Sequence, residues 1–552
     1  MSKKLIECVP NFSEGVNLDI IKQITNEVES VEGVRLLNVD PGKATNRTVV
    51  TFVGEPEKVI QAAFLAIKKA GELIDMSKQK GEHPRMGATD VCPLIPISNI
   101  SMEETAEYAR QLAKRVGEEL QIPVYLYEQA QPNKSRSNLS VIRAGEYEGF
   151  FKKIKLPEWA PDFGPAENDV KRGATVIGAR DFLVAYNVNL NTTSTRRANA
   201  IAFDVREAGR TVNDEHGNPK NIPGTLKSVK AIGWYIEEYG IAQISMNLIN
   251  IEVTPVHKAF DEVCDKANAR GIRVTGSELV GLIPLKAMLD AGKYFLRKQK
   301  RSVGVSEKEL IRIAIKSMGL DELGPFIPEE RIIEYLLKDK AASKLVSMSL
   351  VEFADETASE SPAPGGGSIS AYVGSLGASL AGMVANLSSH KKGWDDRWEE
   401  FSNWAEKAQV YKDELIRLVD LDTTAFNRIM ESFGLPKSTP EEKAARDKAI
   451  QDATKYAIEV PFKVMQAALN SMEVIKAMVE IGNPNSVTDA GVAALCARTA
   501  VLGAFMNVKI NASGYKDKGF VTDIIAKGND IEQKAIALEA EIIELVNEKI
   551  GL

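Results

Sequence analysis

Histidine is nearly absent from this chain, with four in 552 residues, and cysteine is as scarce. The cysteines Cys8, Cys92, Cys264 and Cys496 lie far apart with no Cys-x-x-Cys spacing, which argues against a zinc site and a disulfide framework and fits a reducing, cytoplasmic compartment. No metal is expected. A basic surplus is also missing: the formal charge is -7 and the pI about 5.6, so nucleic acid, which calls for a basic face, is not an expected partner. The run Arg297-Lys298-Gln299-Lys300-Arg301 reads as a solvated turn. A secretory leader is not expected either, because Met-Ser-Lys-Lys-Leu-Ile-Glu-Cys reaches an acid too soon for an apolar h-region. Long uncharged runs are few. One covers residues 368–389, where Gly374, Gly377, Ala378, Ala381 and Gly382 would let another helix approach closely; it is read as a helix buried in a bundle and not as a membrane span.

Against that scarcity, His83 stands out in Gly81-Glu-His-Pro-Arg-Met-Gly-Ala-Thr-Asp90. Its flanking Gly and Pro residues hold the backbone in a non-helical shape that can aim an imidazole, the side chain best able to give and take a proton near neutrality. A surface or structural histidine is the alternative. Glu82, Arg85 and Asp90 neighbour it, and Asp40, at the end of a strand, is taken to lie close enough to orient the ring.

At roughly 150 residues per domain the chain should hold three or four. Apolar periodicity predicts a strand at 5–9, a helix from about 18 to 31, strands at 34–39 and 48–53, a helix from Pro56 to about Ile74 and a strand at 91–95. Ser101 with Glu104 then caps a helix leading to a strand at 124–127. From about Ala174 the scheme repeats, with strands at 184–188, 229–236, 241–253 and 272–274 and helices near 196–207 and 257–269. Two βαββαβ subdomains follow, and a cleft between them is the natural ligand site. After about Glu278 helices take over, with capping boxes at Ser306/Glu309 and Thr439/Glu442.

One more segment carries polar groups in the first half. Pro161-Asp-Phe-Gly-Pro165 runs on through Gly164, Lys171, Arg172 and Gly173, and is either a ligand-binding loop or an interdomain linker. In the second half Gly365, Gly366 and Gly367 open a helix, where free N–H groups can meet an anion, although a flexible linker has the same composition. At about 100° per residue Asp422 shares a face with Leu415, Leu418, Val419, Phe426 and Ile429, whereas Asp420 lies with Asp413, Arg417, Thr424 and Asn427. Asp422 on the apolar stripe is expected to have a raised pKa and to serve as a proton donor, or else to be a packing carboxylate; Asp420 is expected to be solvated. Asn485 and Asp489 sit in the polar turn Gly482-Asn-Pro-Asn-Ser-Val-Thr-Asp489.

These motifs together resemble a known pattern. Glu7-Cys-Val-Pro-Asn-Phe-Ser-Glu-Gly15, Asn46-Arg-Thr48, Gly81-Glu-His-Pro-Arg-Met-Gly87 and Pro161-Asp-Phe-Gly-Pro165 resemble glutamate formimidoyltransferase. Pro364-Gly-Gly-Gly-Ser368, Asp420-x-Asp422, Leu435-Pro-Lys-x-Thr-Pro-Glu-Glu442 and the Gly482 turn look like formimidoyltetrahydrofolate cyclodeaminase. The resemblance covers nearly the whole chain, in the order of the bifunctional enzyme family. It implies transfer of a formimidoyl group from N-formimidoyl-L-glutamate to N5 of tetrahydrofolate in histidine degradation, then ring closure to 5,10-methenyltetrahydrofolate with loss of ammonia.

It also implies His83 as catalytic in the first step and Asp422 in the second; Asp40, from its place at the end of a strand, is expected to orient His83. Folate-binding groups would be Arg85, Gly164, Pro165, Lys171, Arg172, Gly173, Gly365, Gly366, Gly367, Asn485 and Asp489. The interior of the 164–173 segment departs from the family in its charged residues, Asn168 and Asp169 among the changed positions. Polyglutamylated folate as co-substrate and a ring of dimers in the cytoplasm, away from membranes, are further expectations of the resemblance. The expected fold is α+β followed by all-α: two ferredoxin-like subdomains at 1–173 and 174–325, a linker at 326–345 and a helical domain at 346–552. The alternative is a formimidoyltransferase fused to a cyclohydrolase-like or non-catalytic, oligomerising helical domain.

Overall fold

The computed structural model describes residues 4–167, 169–337 and 345–551. Asn168 and most of the expected linker therefore lie outside the described residues. The chain divides into two compact units, Met1–Ala291 with Ala314–Leu337, and Gly292–Ile313 with Lys338–Leu552.

In the first unit the opening strand is split by Pro10 into β1 (Leu5–Cys8) and β2 (Asn11–Phe12). Then come α1 (Leu18–Glu29), β3 (Val34–Gly42), β4 (Arg47–Gly54), α2 (Pro56–Leu73), β5 (Thr89–Ser98), α3 (Met102–Leu120) and β6 (Val124–Glu128). Local chemistry sets these bounds. Asn17 accepts the N–H groups of Asp19 and Ile20 at the start of α1, Pro56 occupies the first turn of α2, and Ser101 with Glu104 closes both bonds of the capping box on α3. Strand alternation sends Ile6 and Cys8 into the core beneath the helices and leaves Glu7 on the other face. Two short helices, α4 (Leu139–Ile142) and α5 (Glu146–Lys153), precede β7 (Thr175–Ala179). The antiparallel order β3-β4-(β1, β2)-β5 is ferredoxin-like, and β7 and β6 extend it by parallel pairing.

The second subdomain comprises β8 (Val184–Leu190), α6 (Thr195–Val205), the hairpin β9 (Arg210–Asn213) and β10 (Pro219–Ile222), β11 (Val229–Ile236), β12 (Ile241–Leu248), α7 (Val256–Asn268) and β13 (Val274–Val280). Its antiparallel order, β11-β12-β8-β13, repeats the first. Two expected bounds move. β7 pairs with β5 in the first sheet, so the division between sheets falls at 180–183 and not at 173/174. The last strand is 274–280 rather than 272–274, because its central Gly276, Ser277 and Glu278 hide the apolar alternation.

Helices α8 (Leu285–Lys298), α9 (Glu307–Met318), α10 (Pro328–Arg331) and α11 (Ile333–Leu337) follow. Residues 292–313 pack with the helical unit. That unit holds α12 (Leu350–Thr357), α13 (Gly366–Ser389), α14 (Trp398–Phe433), α15 (Pro440–Ile481), α16 (Val487–Ser513) and α17 (Lys518–Ile550). The uncharged run forms α13. A Cβ at Gly374 would stand 3.0 Å from Ala500, and one at Gly377 2.9 Å from the Ala493 carbonyl, so the small residues permit close packing against α16. Helices Gly366–Ser389 and Pro484–Ser513 are long and apolar enough to cross a membrane by composition, yet 61% and 50% of their most apolar windows are buried within the structure.

Candidate functional sites

The helix-free faces of both sheets in the first unit line one cavity of about 560 Å³. His83 reaches it from the loop before β5. Its Nδ1 lies 2.7 Å from the Pro84 carbonyl, so that nitrogen carries the proton and Nε2 keeps its lone pair, on a ring that lines the cavity. Burial, reinforced by the Arg47 and Arg143 guanidiniums and opposed by Asp90, brings the His83 pKa down to about 3. The ring is neutral at physiological pH.

Asp90 organises this wall. Wholly buried, it accepts from Arg47, from Arg143 at 2.6 Å and from the Met86 N–H at 2.9 Å. Two guanidiniums share one carboxylate, which leaves a net positive charge beside the ring. Asp90→Ala is expected to cost about 3–5 kcal/mol of stability, since it strands two buried cations. A fall in the urea midpoint of the first unit measures it; an unchanged midpoint would show the pair to be dispensable.

Asp40 also lines the cavity but does not orient His83. Its Oδ2 accepts from the Gly281 N–H at 2.7 Å and from Arg331 at 3.2 Å, so it ties β3 to the second subdomain. Nor is Arg85 a cavity residue: it turns away to Gln79, Glu146 and Glu148, with Tyr147 under its guanidinium. The 164–173 segment braces the His83 loop from behind. Lys171 donates to the Glu72 carbonyl and Arg172 to those of Leu120 and Gln121. Backbone bonds run from Met76 to Lys171, from Ala88 to Arg172 and from Ala174 to Met86. Gly173 has φ +69°, and a Cβ there would meet the Met86 carbonyl at 2.2 Å. Gly164, with φ +84°, packs against Gly117 and Ile122, and neither it nor Pro165 is among the residues lining the cavity.

Sequence reasoning passed over several cavity groups. Glu7 is 2% exposed, and burial raises its pKa to about 7 against the pull of Arg180. From the second sheet, Glu278 accepts from Asn187 at 3.0 Å, Gln243 at 3.2 Å and Tyr239 at 3.1 Å. The available signal was a polar residue at mid-strand: Glu7 among Leu5, Ile6 and Cys8, and Asn187 and Asn189 among Val184, Tyr186 and Val188.

In the helical unit the glycine turn and Asp422 do meet. A Cβ at Gly367 would lie 2.2 Å from Asp422 Oδ1, so only glycine lets that carboxyl rest on the amino end of α13. Ser368 Oγ is 3.1 Å from Asp422 Oδ2 and 3.0 Å from the Val419 carbonyl. Burial raises the Asp422 pKa, and the Ser368 side-chain and backbone bonds pull it back. Gly365 precedes this turn as the N-cap, and Asn507 Nδ2 would stand 3.2 Å from a Cβ at Gly366. Ser368 and Asn507 were not foreseen.

Two expectations fail here, and a third pair of candidates lies apart. Asp420 is half-buried and accepts the Leu345 N–H at 3.2 Å, with burial raising its pKa, so it is an anchor and not a solvated acid. Phe426, placed on the apolar stripe, is exposed. Asn485 and Asp489 are remote from Asp422, because α13 and α16 run antiparallel: Gly366 faces Asn507, whereas Ser388 Oγ takes the Asn483 N–H at 2.8 Å. The intervening length of α13 separates the two turns by roughly 30 Å.

Comparison with known proteins finds the same order of halves and assigns residues 292–313 to the transferase half. Residues 5–180 match the N-terminal subdomain of the formiminotransferase domain, residues 185–338 the formiminotransferase domain, and residues 349–530 the formiminotransferase-cyclodeaminase model. The chain is 46% identical over 521 residues to formimidoyltransferase-cyclodeaminase of Gallus gallus, covering 94% of both chains. Glutamate formimidoyltransferase of Streptococcus pyogenes is 41% identical over 53% of this chain and 94% of its own. Methenyltetrahydrofolate cyclohydrolase of Methylorubrum extorquens is 36% identical over 36% of this chain and 96% of its own. The chain thus belongs to the formimidoyltransferase-cyclodeaminase family, its first half matching the transferase and its second the cyclodeaminase.

Proposed function

We propose that the first-unit cavity is the transferase site and the Gly365–Ser368/Asp422 turn the cyclodeaminase site of a bifunctional folate enzyme. The chain is a transferase and a lyase of the family just identified; the residue roles are the reading offered here. The observation that carries it is His83, its Nδ1 committed to the Pro84 carbonyl, on a cavity that Arg47, Arg143, Arg180 and Arg331 also line.

The donor, N-formimidoyl-L-glutamate, brings carboxylates that suit the surplus charge of Arg47 and Arg143. Neutralising those guanidiniums lifts the depressed basicity of His83, so the base gains strength when substrate is bound. N5 of tetrahydrofolate attacks the formimidoyl carbon, Nε2 accepts the N5 proton, and the same proton passes to the departing glutamate nitrogen. In the second step N10 closes on that carbon. N10 loses its proton as that bond forms and the nitrogen that leaves as ammonia gains one; Asp422, whose pKa burial raises, is the carboxyl placed to carry it. Neither step as drawn calls on a metal. Tetrahydrofolate is a co-substrate, and a polyglutamate tail, a ring of dimers, a cytoplasmic location and a place in histidine degradation complete the proposal.

A second reading, hydrolysis in place of deamination by the helical half, is favoured by the similarity to the cyclohydrolase of Methylorubrum extorquens. Incubating the chain with N-formimidoyl-L-glutamate and tetrahydrofolate distinguishes them. Glutamate, ammonia and methenyltetrahydrofolate absorbance are expected in equal amounts; glutamate without ammonia would remove the cyclodeaminase, and conversion of supplied methenyl to formyl product would favour the hydrolase.

A further inference from the structure

Among the described residues, two polar atoms of opposite character in the transferase cavity lack hydrogen-bond partners: Oε2 of Glu7 and Nε of Arg143, each buried. A buried carboxyl oxygen left without a donor is costly unless a ligand supplies one. The other cavity acids differ: Asp40 already holds Gly281 and Arg331, and Glu278 holds three donors. Glu7 projects from the central strand of the first sheet, between β4 and β5, where Val53 and Ile95 are its register partners.

The donor substrate carries both complements. Its carboxylates match guanidinium, and its formimidoyl group is an amidine, protonated at neutral pH, with parallel N–H donors that a carboxylate can accept in fork geometry. On the reading that this cavity is the transferase site, we infer that Glu7 is the carboxylate that receives the formimidoyl amidinium, holding its carbon for attack by N5. In the transfer step the N5–carbon bond forms, the bond from carbon to the glutamate nitrogen breaks, and the proton lost by N5 goes to that nitrogen through His83. Glu7 neither gains nor loses a proton in that step; it stabilises the cation and selects amidine over amide.

The surroundings give the assignment a pH signature. Groups near Glu7 are Arg180, held by Tyr127, then Cys8 on its own strand with Cys92 beside it, and His83, Arg47 and Arg143 on the same cavity. Burial outweighs Arg180, so the acid titrates near neutrality at about 7. Only the ionised form pairs with an amidinium, so donor affinity falls as pH drops below that value and is retained above it.

Glu7→Gln tests this, because the amide preserves shape and removes charge. With the full chain, kcat/KM for N-formimidoyl-L-glutamate should fall about 100-fold, the cost of leaving a buried cation unpaired, while the dissociation constant of tetrahydrofolate stays unchanged. The acid limb near neutrality should disappear from the donor profile. N-formyl-L-glutamate, the neutral amide analogue, should inhibit variant and parent alike, and Glu7→Asp should recover part of the loss. Ammonia release from supplied 5-formimidoyltetrahydrofolate should persist, showing the variant chain to be folded. Donor kcat/KM within about threefold of the parent would overturn the assignment, as would equal weakening of the amidine and the formyl analogue. If His83→Ala also left transfer intact, the cavity reading itself would fall; if only Glu7→Gln did, the role of Glu7 alone would.

Discussion

His83→Ala is expected to lower glutamate release by about 1,000-fold, within the range for losing a positioned acid–base group, while ammonia release from supplied 5-formimidoyltetrahydrofolate continues. The reason is geometric. Nδ1 is committed to the Pro84 carbonyl, and only Nε2 can exchange a proton with a ligand in the cavity. No side chain that lacks this second nitrogen keeps the relay. Parallel initial-rate assays of glutamate and ammonia decide the matter, and equal loss of both would argue that the two halves share one site. The same geometry makes a statement about pH. Burial, Arg47 and Arg143 hold His83 at about 3 in the free protein, so protonation of this ring does not lower donor kcat/KM between about pH 5 and 8. An acid limb within that window belongs to another group, for which Glu7 is the candidate.

Asp422→Asn is expected to do the converse: ammonia release falls by about 100- to 1,000-fold, and glutamate release is unaltered. Asparagine fits the same space but cannot deliver a carboxyl proton. Gly367→Ala should mimic it without touching the carboxyl, because the added methyl would occupy a point 2.2 Å from Asp422 Oδ1. A steady-state burst of 5-formimidoyltetrahydrofolate, formed and not consumed, is the observable. If Gly367→Ala left ammonia release intact, Asp422 would be free to move and its pairing with the glycine turn would carry no function. Retention of ammonia release in Asp422→Asn itself would transfer the proton-donor role elsewhere.

Much of this was readable in one dimension. Helix starts at Ser101 and Thr439 were legible because a capping box is a local exchange of two bonds within four residues. The βαββαβ repeats were legible because alternation and helical period are properties of short windows. The strand at 274–280 was not, since Glu278 faces a cavity and Ser277 is buried on the Met318 carbonyl, and composition alone cannot distinguish either from a solvent-facing residue. Asp420 and Asp422 show the limit of the helical wheel. The wheel correctly separated their faces, but it had no knowledge of the chain entering at Leu345, which turns the expected wet face into a half-buried one.

The sequence by itself determined which chemistries were available and in what order the elements run: a loop imidazole, a glycine turn before a long uncharged helix, an acid on an apolar stripe. Those depend on residue type and on neighbours a few positions away. Tertiary structure decided the partners. It gave Asp90 and not Asp40 to the wall beside His83, spent Arg85 and Arg172 on holding loops, drew Asn485 and Asp489 to the far end of α13, and left Oε2 of Glu7 without a hydrogen-bond partner among the described residues. Charges act over a few ångströms through space, whereas the residues that supply them lie tens to hundreds of positions apart. Strand register and helix direction alone convert one distance into the other.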